Sequence, residues 1–163
     1  MSHTYIVAAD ALVNIGRECA DATGVQAVLS ALYQLVLQGH LAFPPEAVKD
    51  CVRYAPGEAV TNWAQPTASS FQDADAPYEF IEEVLVDCPE LLDPDEVELR
   101  VGVSVLALAI YRRRHGHDVC VVTNEIVDGP GTICIATACK RLDLQYLTLR
   151  EFATTLDCGS SLG

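Results

Sequence analysis

The sequence predicts an α/β domain built on a central parallel sheet with helices on both faces. Three observations predict it. Two short apolar runs rich in β-branched residues, Tyr5–Ala9 and Val119–Thr123, have the length and composition of buried strands. Between them Val25, Val28, Leu29, Leu32, Leu35 and Val36 recur at spacings of three and four, which places them on one face of a helix. Strand-like and helix-like segments then alternate along the chain, the pattern of parallel strands joined by helical crossovers.

The elements follow in order. The first strand ends at Ala8-Ala9-Asp10, and Ala11-Leu12-Val13 continue with helical character. A helix spans Gly24 to Gly39, where the glycine is a good terminator. Leu41-Ala42-Phe43 reads as a short strand, and Pro44-Pro45-Glu46 as the first turn of a helix to about Tyr54. Pro56-Gly57-Glu58 restarts the chain into a short helix ending near Trp63, and residues 65–76 form the best loop candidate. Tyr78 to Val86 is an acidic amphipathic helix. Asp93-Pro94-Asp95-Glu96 combines a cap, a first-turn proline and first-turn acids, and starts a helix predicted to run through Arg114. After the Val119–Thr123 strand come a turn at Asp128-Gly129-Pro130-Gly131 and a helix from Ile133 to Leu142. A short strand at Gln145–Leu147 follows, then a last helix capped by Thr148 and running through Leu156. In a parallel sheet the functional residues gather at the carboxyl ends of the strands. Here those ends hold Asp10 and Thr123-Asn124-Glu125.

With 163 residues, half of them hydrophobic and a fifth charged, the chain fits one domain spanning 1–163 with a substantial core. The tail 157–163 is expected to fray. The formal net charge is −13, which repels nucleic acid unless basic side chains gather in a patch or metal ions intervene. The imbalance is local: acids crowd Asp73 to Glu98 with no Lys or Arg among them, while Arg112-Arg113-Arg114 form the main basic group, flanked by His115 and His117. The seven cysteines are scattered without a Cys-x-x-Cys pair, as expected of reduced, buried thiols. No signal peptide is recognised and no apolar run is long enough to span a bilayer, so the expected location is the cytoplasm and no membrane partner is expected. Nucleophile elbows and P-loops are absent from the sequence.

Three stretches resemble the PIN-like superfamily, in particular its ribonuclease toxins. Tyr5 to Val13 (YIVAADALV) is similar to the opening strand-turn-helix, usually Leu-Asp-x-Ser/Asn-x-Leu. Val105 to Glu125 (VLALAIYRRRHGHDVCVVTNE) is similar to the helix and strand ending Val-Thr-x-Asp/Glu. Ile135 to Leu156 (IATACKRLDLQYLTLREFATTL) is similar to the closing helix, strand and helix. The resemblance implies a three-layer PIN-like fold and a metal-dependent endoribonuclease. In such an enzyme three or four carboxylates hold Mg²⁺ or Mn²⁺, hard cations that take oxygen ligands and activate water. A site of this kind, rearranged on the acids present, would use Asp10, Glu46 or Asp50, and Glu125 as catalytic acids, with Asp10 and Glu125 on the metal. Ser104, Arg112, Arg113, Thr123 and Asn124 are then the substrate-contacting set.

The chain also departs from the pattern. The first aspartate of the motif falls on Ala8, and Asp10 stands where the family has Ser or Asn. The third acid falls on Val103 or Ser104. Each remaining candidate carries a plain structural reading beside the functional one. Asp10 is suited to cap the following helix. Glu46 and Asp50 are ordinary helix acids, the former favoured by the helix dipole, and Glu125 is a solvated loop acid. Thr123 and Asn124 satisfy backbone groups at a strand end. The arginine run complements the negative end of its helix.

Three functions follow. The first is a PIN-like protein with an eroded active site, binding RNA or a partner protein, antitoxin-like or basic, without efficient cleavage. The second is a working Mg²⁺- or Mn²⁺-dependent endoribonuclease, such as the toxin of a toxin–antitoxin pair. The third is an acidic oligomerising module, for example a homodimer. Convergence of Asp10, Glu46, Asp50 and Glu125 on one point is the observation that separates them.

Overall fold

The computed structural model of the chain describes residues 3–71, 73–92 and 101–163. Four strands, β1 (Thr4–Val7), β2 (Leu41–Ala42), β3 (Val119–Val122) and β4 (Gln145–Leu147), form one all-parallel sheet in the order β2-β1-β3-β4. The register pairs Tyr5 with Leu41 and Cys120, and Cys120 in turn with Gln145. β1 and β3 are buried along their whole length, which is why they read as continuous apolar runs.

Eight α-helices lie among the described residues: α1 (Ala9–Glu18), α2 (Ala22–Leu37), α3 (Pro45–Tyr54), α4 (Ala59–Ala68), α5 (Tyr78–Asp87), α6 (Val101–Arg114), α7 (Ile135–Arg141) and α8 (Leu149–Thr155). They divide between the two faces. Tyr5, Val7, Cys120 and Val122 point into a core shared with α1 to α4 and α8, around Leu12, Leu32, Phe43 and Phe152. Ile6, Val119 and Val121 point the other way, into a core with α5 to α7 around Val84, Leu106, Leu108 and Ile110. The predicted three-layer α/β arrangement is therefore present. The alternation of side chains along β1 and β3 sends successive residues to the two cores.

Several predicted boundaries move. β1 stops at Val7: Ala8 already occupies the N-cap of α1, and Asp10 belongs to the helix's first turn. The helix predicted to end near Trp63 runs on to Ala68, taking the first residues of the expected loop 65–76 with it and accommodating Pro66. The tail is tied down, against the fraying expected for 157–163. Cys19 and Leu162 form an antiparallel bridge, Ala20 donates to the Ser161 carbonyl, and Leu162 is buried in the first core. The helix start predicted at Asp93–Glu96 lies outside the described residues. Thr148 caps α8 as expected, in a reciprocal capping box with Glu151.

Candidate functional site at the carboxyl edge of the sheet

Because all four strands are parallel, the segments that follow them meet at one edge. α1 begins there after β1, α3 after β2, the Thr123-Asn124-Glu125 stretch after β3, and α8 after β4. The sequence-predicted site residues Asp10, Glu46, Thr123, Asn124 and Glu125 all belong to these segments.

The centre of the edge is a hydrogen-bonded clasp. The Thr123 hydroxyl, fully buried, donates to the two Asp10 carboxylate oxygens at 3.1 and 3.2 Å, and the Asn124 backbone N–H donates to Asp10 Oδ2 at 2.5 Å. The same Thr123 oxygen accepts the Glu125 N–H at 3.0 Å. Asn124 extends the clasp in two directions. Its Nδ2 donates to Glu18 Oε2 at 2.8 Å, and its Oδ1 accepts the Leu149 N–H, an otherwise orphan donor in the first turn of α8, at 2.9 Å. Asn14 donates to the Asp10 carbonyl at 2.6 Å. Both ends of α1, the end of β3 and the start of α8 are thus held by three side chains, Asp10, Thr123 and Asn124.

Asp10 is not the cap of its own helix. The N-cap is Ala8, which has no side-chain acceptor, and the Asp10 carboxylate reaches across to β3 instead. Burial pushes its carboxyl above the usual aspartate range, while the hydrogen bonds from Asn124, Thr123 and Glu125 pull it down without cancelling the shift.

Asp10 and Glu125 are the acids expected on a metal, with Glu46 or Asp50 as a further catalytic acid. Among the described residues no three His, Cys, Asp or Glu side chains lie close enough to hold a metal ion. Glu46 sits in the first turn of α3, with one carboxylate oxygen shielded from solvent and accepting no hydrogen bond from the described residues. Asp50 lies one turn further along α3, its carboxyl raised chiefly by burial and lowered in part by Arg53. A divalent ion takes several converging oxygen ligands, and Asp10 directs both of its oxygens toward protein donors. At the positions where the resemblance expects acids, Ala8 and Val103 are sealed in the second core and Ser104 is buried in α6.

The basic group is equally committed. Arg112 Nε donates to the Asp73 carbonyl, Arg113 to the Leu142 and Asp143 carbonyls, and Arg114 pairs with Glu83 at 2.7 Å while lying over the Phe80 ring. The three arginines lash the end of α6 to its neighbours. His115 contacts the Tyr111 carbonyl and His117 the Thr4 hydroxyl. A surface recess of about 530 Å³ beside β4, lined in part by His3, Tyr5 and Tyr146, shares no residue with the clasp.

Sequence reasoning missed Asn14 and Glu18. Their signal was present: Asp10, Asn14 and Glu18 recur every four residues, a polar stripe along one side of the helix. Comparison of the chain with known protein families, curated proteins and solved structures gives no match.

Proposed function

We propose that the chain is a PIN-like domain whose nuclease site has been converted into a structural clasp, and that it works by binding a partner protein without cleaving RNA. One observation carries this reading: the acid at the mouth of the site, Asp10, has both oxygens engaged by Thr123 and Asn124. A carboxylate held in this way is turned toward protein donors and keeps fewer lone pairs for a cation or a water. Ala8 and Ser104, at the positions of the first and third acids, are in keeping with it. The parallel sheet with helices on both faces is compatible with this reading.

The choice of protein over RNA rests on charge. A chain of net charge −13 needs a basic patch to approach a polyanion; in the run Arg112 to Arg114, Arg114 is paired with Glu83 and Arg112 and Arg113 are drawn onto backbone carbonyls.

The test is incubation of the purified chain with labelled single-stranded RNA and millimolar Mn²⁺ or Mg²⁺, alongside Asp10→Asn and Glu125→Gln. No metal-dependent cleavage is expected from any of the three, and no RNA binding at physiological salt. Cleavage that needs Mn²⁺ and disappears in either variant overturns the reading in favour of a working endoribonuclease.

A further inference from the structure

Of the seven cysteines six are buried, and Cys19 alone is half-buried. Cys19 is the C-cap of α1, where the backbone leaves the helix in extended form. There it faces Leu162 in an antiparallel bridge. The Ala20 N–H donates to the Ser161 carbonyl at 3.1 Å, and the Gly163 N–H to the Glu18 carbonyl at 2.6 Å. Bonds that flank a pair in this way mark the closer antiparallel type, with Cα atoms about 4.5 Å apart and both side chains on one face. Leu162 follows the short 3-10 turn Gly159–Ser161, and Cys158 opens it, its carbonyl accepting the Ser161 N–H at 3.0 Å. Cys19, Cys158 and Leu162 all pack on the first core. Two thiols from opposite ends of the sequence are neighbours in the fold.

The electrostatics agree with the geometry. Both thiols are pushed above the ordinary cysteine range, chiefly by burial. For Cys19 the next cause is the charge of Cys158, ahead of the adjoining Glu18 and of Asp21. A residue remote in sequence outweighs a bonded neighbour only when its side chain is close. Cys139 also has sulfur neighbours in Cys120, Cys134 and Cys88, but all four are buried, which closes them to an oxidant in the native state.

We propose that Cys19 and Cys158 are a redox pair, oxidised by a peroxide to a disulfide that locks the C-terminal turn onto α1. One thiolate attacks the peroxide: an S–O bond forms, the O–O bond breaks, and the leaving oxygen takes a proton. The second thiolate attacks that sulfur, the S–S bond forms, and the sulfenic oxygen leaves as water once protonated. Two electrons pass from the thiols to the peroxide, and a dithiol reductant returns them. A disulfide joins Cα atoms no more than roughly 7 Å apart, and a short turn at the surface adjusts to that more readily than a core helix does. The lock acts beside the clasp, because Cys19 follows Glu18, whose carboxylate accepts from Asn124. It holds whether or not the carboxyl edge cleaves RNA.

The experiment treats the reduced full chain at pH 8 with a slight excess of hydrogen peroxide and returns half of it to dithiothreitol. Intact mass, a tryptic map made without reduction, and thermal unfolding by circular dichroism are read on the wild type, Cys19→Ala and Cys158→Ala. Trypsin releases residues 18–49 and 151–163, each holding one cysteine, so a link between these two peptides identifies the pair. The oxidised wild type is expected to be lighter by two hydrogens and to carry that link. Its Tm should rise by about 5–10 °C, since the bond closes a long loop of the unfolded chain, and dithiothreitol should reverse both changes. Neither variant should show the link or the shift. A link between other cysteines, oxidation of Cys19 or Cys158 to the sulfinic acid without a link, or a link that leaves Tm unchanged overturns the proposal. Where an alanine variant does not fold, the wild-type map and its reversal decide by themselves.

Discussion

Replacing Asp10 by asparagine and by alanine separates a clasp from a catalytic acid, because only the clasp makes the two variants differ in stability. Asp10 accepts one backbone hydrogen bond from Asn124 and a hydroxyl bond from Thr123 shared between its two oxygens. Asparagine keeps an acceptor oxygen for the Asn124 N–H, and its amide nitrogen donates to a Thr123 hydroxyl that rotates to accept. The bonds lose their charge assistance, but the cost of burying an ionised carboxyl disappears as well, so Asp10→Asn should stay within about 1 kcal/mol of the wild type at pH 7. Alanine leaves the Asn124 N–H and the Thr123 hydroxyl without their partner in a largely buried place. The expected loss is about 2–3 kcal/mol, or roughly 5–10 °C in Tm for a chain of this size. The pH dependence has a definite sign. Folding raises the Asp10 pKa, so the native state holds that proton more tightly than the unfolded chain does. Its stabilising contribution is therefore complete below an unfolded aspartate's pKa of about 3.9, and is lost as pH rises through the folded value. Asp10→Asn should gain on the wild type between pH 4 and 7. Urea unfolding followed by circular dichroism at several pH values reads all of this. Equal damage from asparagine and alanine, or a wild type that gains on Asp10→Asn as pH rises, would refute the clasp.

Asn124→Ala removes the bonds to Glu18 and to the Leu149 N–H at once, and a loss of about 1–2 kcal/mol in urea unfolding is expected; an unchanged midpoint would mean that the α1–β3–α8 tie carries no load. At Gly24 an added Cβ would stand 2.7 Å from the Ser161 carbonyl oxygen, so Gly24→Ala should destabilise by about 1–2 kcal/mol despite alanine's better helix propensity. A stabilised Gly24→Ala would show that the C-terminal turn is not packed on α2. Burial holds the Cys51 and Cys120 thiols up at about 11 and Cys139 at about 12. Ellman's reagent at pH 8 should therefore leave these three unmodified in the native protein, while all seven free thiols react once it is denatured. Rapid native reaction at any of the three would contradict their burial.

Much of the fold was legible because its signals are local. The continuous apolar runs of β1 and β3, the three-four spacing of α2, the box at Thr148 and the first-turn proline of α3 each act within one element. The misplaced boundaries have non-local causes. α4 passes its sequence-level stop because Val60, Thr61, Ala64 and Thr67 are buried together along one side, and Thr67 donates back to the Trp63 carbonyl. The tail is ordered by Glu18, Ala20 and Cys19, which lie some 140 residues earlier in the chain. At the carboxyl edge the sequence pointed to segments that do meet there, and not to the hydrogen bonds that join them. That Asp10 faces Thr123 and Asn124 depends on the β1–β3 register, which pairs Val7 with Val122 and so brings the two strand ends level. Residue spacing alone carries no such information.

On the proposed reading, the clasp and the alanine at position 8 are two sides of one physical trade. Carboxylates that converge on a metal repel one another and resist burial, and a fold that keeps them sacrifices stability to do so. Here the Ala8 position is closed, packed with Ile6, Ala42 and Val105 in the second core, its own N–H donating to the Val122 carbonyl and its carbonyl accepting from Leu12. With alanine at position 8, Asp10 has a nearby donor set in Thr123 and Asn124 and takes it, at a position where the motif of the proposed family has a neutral Ser or Asn. A charged residue in that slot is stabilised by the hydrogen bonds and penalised by burial, and its raised pKa shows the penalty to be the larger of the two. Asp10 therefore makes the clasp specific without making it strong, and a neutral hydrogen-bonding residue in the same slot would hold the edge at least as well.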